Sequence, residues 1–356
     1  MNIGEKAGAI NFLARLLNPF MKRLFPEVPD KHPAMGQMVM NFSANMLGLD
    51  NAATPFGLKA MESLQTLNPQ KETASNAQIM FLVLHTSGLT LIPLSIIAYR
   101  AGAGSVNPTS VFVPLMLATS VATIASILIT GIYQRLKFDR VLIAWLGTIV
   151  TAIFLFAWFI QQLPSQKDIP VPTLLTKETF SNVLGNIILF FIICTFIIGG
   201  HLKKVNVFDA FIEGAKQGWE VILKVIPYLV GMLVGIRVFR ESGALEAIIS
   251  GITWCFTAVG SSGEFVPALP VAIMRPFSGG GARGLMLDIF KTHGPDSFVG
   301  QLASTFQGSA DTTFYIIALY FGSVGIKKVR YAIWAGMLAD LIGVIAAVGI
   351  AYIFFK

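Results

Sequence analysis

The stretch STFQGSADTTFY, residues 304–315, lies in the middle of an apolar run that extends over 298–322. About 20 apolar residues are what a helix needs to cross a bilayer core of about 30 Å. This run also carries Asp311, and a carboxylate inside a membrane helix is costly enough to be paired, hydrated or part of a functional site. The stretch is therefore predicted to face a polar protein interior and not lipid.

The composition of the 356 residues also predicts a membrane protein. Of these residues 54% are hydrophobic and 13% are charged, about half the charged share of an ordinary soluble domain. The formal charge of +7 does not indicate a nucleic-acid partner, because the basic residues fall in short clusters between apolar runs, as in cytoplasmic loops. Cys194 and Cys255 lie inside apolar runs without ligand spacing, so they predict packing residues and no metal site.

Further apolar runs predict a multi-pass arrangement of helices. The predicted spans lie near 79–98, 111–132, 141–163, 183–200, 219–239, 298–322 and 331–354, with interrupted apolar stretches at 34–58 and 245–277. Scaffold helices are predicted where polar side chains beyond Ser and Thr are few, at 111–132, 141–163, 183–200 and 331–354. The segments that mix apolar residues with Asn, Asp, Arg, Gln, Gly and Pro are predicted to line a polar interior instead.

The two halves of the chain resemble each other in the order of their short matches. Gly88 and residues 96–98 correspond to Gly308 and residues 316–318, and residues 116–118 then correspond to 337–339. The basic loops at 135–140, 203–216 and 327–330 predict cytoplasmic segments, whereas 164–180 and Lys356 are predicted to be external. Equivalent loops would then lie on opposite sides, which predicts two inverted-topology repeats with interrupted or re-entrant helices.

Segment 41–55, NFSANMLGLDNAATP, is the first candidate binding segment. Gly48, Pro55 and Gly57 are expected to interrupt the helix there, which frees backbone groups to meet a polar ligand. The candidate substrate-binding residues are Asn41, Ser43, Asn45, Asp50, Asn51 and Thr54. The alternative is an ordinary loop at the membrane edge with a capping aspartate.

Segment 274–288, MRPFSGGGARGLMLD, is the counterpart in the second half. Three successive glycines allow close backbone approach, and Arg275 and Arg283 offer fixed positive charge to an anionic group beside Ser278. The GxxxxGK[ST] spacing of a nucleotide-binding loop is absent. The alternative is structural: the glycines let two re-entrant helices meet, and the arginines extend to the interface.

The third candidate segment is the opening stretch, which contributes Gln307, Ser309, Asp311 and Thr312. Its first-half counterpart at 85–93 contributes Thr86 and Ser87 but no carboxylate. The alternative for Asp311 is a buried ion pair with Arg283 or Arg275 that only fixes helix packing. No catalytic residues or cofactor are predicted, because no nucleophile elbow, HExxH helix or paired catalytic carboxylate occurs and the four histidines are scattered. His85 is interpreted as a hydrogen-bonded packing residue.

Two long blocks carry a family resemblance. FPEVPDKHPAMGQMVMNFSANMLGLDNAATPFGLKAMESLQTLNP resembles spore maturation protein A, and RVFRESGALEAIISGI through MRPFSGGGARGLML and STFQGSADTTFYIIALYFGSVGIKKVRYAI resembles spore maturation protein B. Both belong to the nucleoside-recognition or gate-domain group, which is also similar to parts of nucleoside transporters and of ferrous-iron transport protein B. The resemblance implies a fused form of the two.

This resemblance implies a first gate repeat over 1–140, scaffold helices and a linker over 141–218, and a second gate repeat over 219–356. The first repeat is expected to lack the leading helices that proteins of the A type carry. The fold class expected is an all-α polytopic membrane protein with two inverted gate-domain repeats.

The leading functional hypothesis is a transporter-like protein of the bacterial inner (plasma) membrane that handles a small polar or anionic solute at mid-membrane. It is expected not to be an enzyme. The main alternative is a non-transporting membrane assembly or maturation factor, and a weaker one is a lipid-handling protein with a lateral opening. The sequence leaves a homo-oligomer open.

Overall fold

The structure is a computed structural model that describes residues 2–29, 31–47, 50–137, 139–163, 177–216, 219, 230, 234–235, 237–238, 241–258 and 263–356. Within these ranges the chain is α-helical, with short 3-10 turns and no β-strand, which confirms the predicted all-α class. The helices named below are α1 (Asn2–Lys6), α2 (Ala9–Leu24), α3 (Pro33–Met46), α4 (Asp50–Leu67), α5 (Asn76–Thr86), α6 (Leu94–Gly102), α7 (Phe112–Tyr133), α8 (Arg140–Gln162), α9 (Lys177–Leu202), α10 (Ala244–Ala258), α11 (Leu269–Met274), α12 (Gly279–His293), α13 (Phe298–Gly308), α14 (Thr313–Ser323) and α15 (Ala332–Phe355).

Three helical stretches in the described part are long and apolar enough to cross a membrane: Pro108–Gln134, Arg140–Ile160 and Ala332–Phe355. They include α7, α8 and α15 and agree with three of the predicted scaffold spans. Helix α9 is a further apolar helix at the fourth predicted scaffold position. Most of the predicted span at 219–239, and residues 164–176 of the predicted linker, lie outside the described residues.

Two of the predicted spans are not continuous helices. The span at 79–98 consists of α5 and α6 separated by residues 87–93, and the span at 298–322 consists of α13 and α14 separated by residues 309–312. We call 87–93 the first break and 309–312 the second break. The Asp311 amide N–H in the second break donates at 2.8 Å to the carbonyl of Thr86, the residue directly before the first break, so the two breaks lie against each other. Gly88 has φ +63°, and a Cβ there would lie 3.3 Å from the Ala310 carbonyl carbon, which explains the glycine.

Each half also contains a helical hairpin whose tip meets the break of the same half. Helices α3 and α4 form hairpin 1, and the Leu91 N–H in the first break donates to the Met46 carbonyl near its tip at 2.9 Å. Helices α11 and α12 form hairpin 2, and Arg275 Nε at its tip donates to the Ala310 carbonyl at 2.7 Å. These bonds satisfy backbone groups that a broken membrane helix leaves free.

The hairpins open toward opposite ends of the bundle. The basic end comprises residues 66–76, 134–137 and 324–331. Asn76 links these three segments, because its carbonyl accepts a hydrogen bond from Gln134 Nε2 at 2.8 Å and its Oδ1 accepts one from Arg330 Nη1 at 3.0 Å. Hairpin 1 opens there. The far end comprises residues 99–110, 293–301 and 352–356, and hairpin 2 opens there.

Helix α8 begins beside the basic end with an aspartate cap. The Asp139 carboxylate accepts from the Leu142 N–H at 2.7 Å, and this bond, with the Arg23 side chain at 3.1 Å, holds the pKa of Asp139 below its ordinary value. Because the folded pKa is the lower one, the stabilising effect is present at neutral pH and is lost as the pH falls through that pKa.

Candidate functional site

A cavity of about 450 Å³ lies where the tips of the hairpins meet the breaks. This volume is within the usual range for small-molecule sites. Both halves of the chain contribute to its wall. Eight of the predicted site residues line it: Asn45, Thr54, Arg275, Ser278, Arg283, Gln307, Asp311 and Thr312.

Hairpin 1 contributes Asn45 and Thr54 to the wall but keeps two other predicted residues in the packed interior. Asn41 is fully buried, and its Nδ2 donates to the Ala53 carbonyl at 2.6 Å. Ser43 is also fully buried. The side chains of the predicted residues Asp50 and Asn51 lie outside the described part.

Hairpin 2 presents the N-terminus of α12 to the cavity. Ser278 is the N-cap, with Oγ accepting from the Gly281 N–H at 3.0 Å, and Gly279 and Gly280 also line the wall. A Cβ at Gly279 would lie 2.7 Å from Arg275 Nη1, so the glycine lets the guanidinium sit against the first turn. A Cβ at Gly280 would have only Ser278 Oγ within reach, at 4.0 Å.

Arg283 lies one turn further along α12 and lines the same cavity. Its guanidinium carbon lies 5.1 Å from the centre of the Tyr99 ring, a cation–π geometry. Its Nε is buried and has no hydrogen-bond partner. The side chain is therefore held beside the wall with part of its hydrogen-bonding capacity unused.

The second break brings Gln307, Asp311 and Thr312 to the wall. Gln307 Nε2 donates to the Gly279 carbonyl at 3.3 Å, whereas Gln307 Oε1 is buried without a partner. Asp311 Oδ1 accepts from the Thr312 N–H at 2.7 Å. The predicted residue Ser309 points back to the end of α13, where its Oγ donates to the Phe306 carbonyl at 3.1 Å.

The first break and the end of α5 place their predicted residues behind the wall. Thr86 Oγ1 donates to the Val83 carbonyl at 3.0 Å, and Ser87 Oγ donates to the Leu84 carbonyl at 2.7 Å. Neither residue is among those that line the cavity. The contribution of Thr86 to this region is its backbone carbonyl, which binds Asp311 as described above.

A buried polar cluster that includes His85 lies directly behind Asp311. His85 Nδ1 lies 2.9 Å from Asn41 Oδ1, and Nε2 lies 3.4 Å from the Tyr320 hydroxyl. His85 Nε2 also lies 3.7 Å from Asp311 Oδ2, so His85 is a close neighbour of Asp311 to which the sequence did not point. Tyr320 was not predicted, because nothing in the sequence marks one buried tyrosine among apolar neighbours.

Asp340 is a second carboxylate that the sequence reasoning missed. It lies inside α15 with 6% exposure, and its Oδ2 accepts from Thr313 Oγ1 at 2.7 Å. Arg275 and Asp311 lie within electrostatic reach of it. A lone aspartate in the otherwise apolar run 331–354 was the available signal.

The charge balance of the wall favours an anionic or dipolar ligand. Two arginines and one aspartate line the cavity, and the N-terminus of α12 adds a partial positive charge with backbone N–H donors. Among the described residues no group of three His, Cys, Asp or Glu side chains could hold a metal ion. The arrangement is thus able to bind a polar solute through fixed donors of the second half, with Asn45 and Thr54 of the first half on the same wall.

Comparison with known proteins finds one matching family model and two similar proteins. The family model described as "Gate: Nucleoside recognition" matches residues 1–104 and 222–327. Spore maturation protein B of Bacillus subtilis (strain 168) is 49% identical over 164 residues, which cover 46% of this chain and 90% of that protein. Spore maturation protein A of the same organism is 44% identical over 142 residues, or 39% of this chain and 72% of that protein. The two match different parts of the chain, and no solved structure matches.

Proposed function

From the premise that this chain belongs to the Gate family of nucleoside-recognition proteins, we propose that it is a transporter-like protein of the bacterial inner membrane. It binds a small polar or anionic solute in the cavity between the hairpin tips and the breaks, and it carries out no chemical reaction on that solute. The observation that carries this proposal is the convergence of polar residues from both halves on one cavity at touching helix breaks. Such breaks are where transporters place their substrate sites.

An inverted repeat is part of the proposal, and contacts between equivalent residues support it. Equivalent residues touch one another where they lie on a twofold axis. Residues 116 and 337 are equivalent in the sequence, so Ala122 and Gly343, six positions further on, are equivalent too. A Cβ at Gly343 would lie 3.1 Å from the Ala122 Cβ, which places this pair on the contact between α7 and α15.

Two arginines at opposite ends of the bundle give a second reciprocal relation. Arg100 Nη1 of the first half donates to the Pro295 carbonyl before α13, at 2.5 Å. Arg330 Nη1 of the second half donates to the Ala74 carbonyl before α5, at 3.0 Å. Each arginine thus binds the chain that leads into the broken helix of the other half, and this reciprocal arrangement supports a twofold relation between the halves.

We expect the two ends of the bundle to lie on opposite sides of the membrane. The basic end carries Lys71, Arg135, Lys137, Lys327, Lys328 and Arg330, and this excess predicts a cytoplasmic location. In a chain whose Cys194 and Cys255 are replaced by Ser, a membrane-impermeant maleimide added to intact cells should label Val106→Cys and not Lys328→Cys. Labelling of both positions from outside would contradict the inverted repeat.

The proposed transport activity is testable without knowing the solute. Vesicles that contain the protein should accumulate at least one solute from a complex extract, relative to vesicles without protein, when all solutes are compared. Vesicles with Gly280→Ala serve as the matched control and should accumulate less of that solute. This change adds a methyl group to open space in the cavity and leaves the packing unchanged. Equal solute content in all vesicles, with a folded protein, would favour the non-transporting assembly or maturation factor.

Asp311→Asn separates a binding role from a packing role for this carboxylate. The Asn side chain keeps an acceptor for the Thr312 N–H, and Asp311 is 30% exposed, so we expect the stability to change by less than about 1 kcal/mol. Solute accumulation should nevertheless be lost. Thermal unfolding in detergent and the vesicle assay measure the two effects, with Asp209→Asn, outside the cavity, as the control. A large drop in unfolding midpoint would assign Asp311 to packing with His85.

A further inference from the structure

The anionic end of the cavity can be located from the donors that surround it. Gly279 and Gly280 occupy the first turn of α12, where backbone N–H groups have no acceptor within the helix. Arg275 lies against Gly279, and Arg283 lines the wall one turn further on. Together these groups form a positive, donor-rich region at one side of the cavity, which suits a carboxylate or phosphate group.

One group in this region, the side-chain oxygen of Gln307, needs a hydrogen-bond donor and not an anion as its partner. Gln307 is 4% exposed, and its Nε2 is bound to the Gly279 carbonyl, so its Oε1 lies beside the same first turn. This oxygen is buried and has no hydrogen-bond donor, although Gln307 lines the cavity. A buried acceptor without a donor is destabilising, and an anion that offers only acceptor atoms would be repelled by it. Asp311 adds a second acceptor to the same wall.

We propose that the cavity selects anions that carry their own O–H or N–H donor beside the charged group. In this arrangement the charged oxygens face Arg283 and the first turn of α12, while the donor of the ligand binds Gln307 Oε1. Hydrogen phosphate and α-hydroxy or α-amino carboxylates have this chemistry, whereas sulfate and acetate lack the donor. This inference rests on the cavity being the solute site of the proposed function, and it specifies the class of solute.

The test measures equilibrium binding of labelled probes to the purified full-length protein in detergent. Phosphate is compared with sulfate, and glycolate with acetate, because the members of each pair are similar in shape and differ in the donor. We expect the donor-bearing member of at least one pair to bind about tenfold more tightly or better, because a site built to bond a donor rejects the analogue that lacks it. The two pairs also distinguish a phosphate from a carboxylate ligand.

Gln307→Met is the decisive variant, since it keeps the length of the side chain and removes the acceptor. The preference should fall to within about twofold, while binding of the anion itself persists through Arg283. Gln301→Met on the same helix is the matched control and should keep the preference, because Gln301 bonds Ser110 Oγ at 3.4 Å and does not line the cavity. Gly280→Ala should weaken both members of a pair without lowering the unfolding midpoint.

The outcomes separate this inference from the proposed function. Equal binding of phosphate and sulfate and of glycolate and acetate, or unchanged preference in Gln307→Met, would overturn the inference. Absence of any anion binding would also overturn it, and the vesicle assay would still report whether a neutral solute is transported. Selective binding with no accumulation in vesicles would support the inference and contradict the transport function.

Discussion

Replacing Arg100 by Met should destabilise the protein by about 3 kcal/mol, because the fully buried guanidinium is a shared donor for acceptors of both halves. The guanidinium donates to carbonyls and side chains of both halves, and Asp296 Oδ1 lies 2.8 Å from Nη2. The remaining acceptors are Pro108 O, Pro295 O, Asn107 O and the Oγ atoms of Ser105, Ser110 and Ser304. Of these acceptors, Ser110 and Ser304 are buried, and a buried acceptor that loses its donor keeps the full cost of its desolvation.

Arg330→Met is the matched control for this prediction. Arg330 bonds the equivalent chain of the other half but is exposed, so its loss should cost less than about 1 kcal/mol. Arg100→Lys should fall between the two, since it restores a charge without the planar fork. Thermal unfolding in detergent measures all three variants. Equal midpoints for Arg100→Met and Arg330→Met would show that Arg100 is not the main link at the far end.

Gly57→Ala should destabilise the protein by about 3 kcal/mol and also disturb the polar cluster behind the site. A Cβ at Gly57 would overlap the Tyr320 hydroxyl and lie 2.9 Å from Asn41 Nδ2. Tyr320 cannot move aside easily, because it is fully buried and its ring stacks on Phe81 with centroids 5.9 Å apart. The added methyl group must therefore displace either the tyrosine or helix α4.

The control for Gly57→Ala is Gly36→Ala in the other helix of hairpin 1, where a Cβ meets nothing within 4 Å. That change should leave the protein as stable or stabilise it by up to about 1 kcal/mol. Tyr320→Phe removes the overlapping hydroxyl, so the double variant should lose less stability than the two single effects combined predict. Additive effects in this double-mutant cycle would mean that Gly57 and Tyr320 do not press on each other.

The polar character of the interrupted helices was readable from the chain, but the positions of the two breaks were not. Both breaks fall inside runs that were predicted as continuous spans, at 79–98 and 298–322, whereas Pro55 and Gly57, which were expected to interrupt a helix, lie inside α4. The segments that line the cavity were predicted from their polar character, because polar side chains in a membrane must face the protein interior. The extent of the gate repeats, with boundaries at 140 and 218, stays a prediction.

Which residues of those segments line the cavity, and which are buried in the packed interior, could not be predicted in this way. Asn41 and Asn45 are one helical turn apart, yet one lies in a buried cluster and the other lines the cavity. The difference depends on Tyr320, whose hydroxyl lies 3.5 Å from Asn41 Nδ2 although it is 279 positions away. Helical periodicity describes a residue's own helix and carries no information about such distant partners.

The sequence by itself determined that this is an all-α membrane protein of the Gate family with polar, broken segments, because hydropathy and helix-breaking residues act locally. Only the tertiary structure decided that Asp311 lies beside His85, that Arg100 is a buried link between the halves, and that Gln307 leaves an acceptor beside the first turn of α12. Each of these contacts joins residues far apart in the chain. Their partners are set by how the helices pack, and packing is a property of the whole fold.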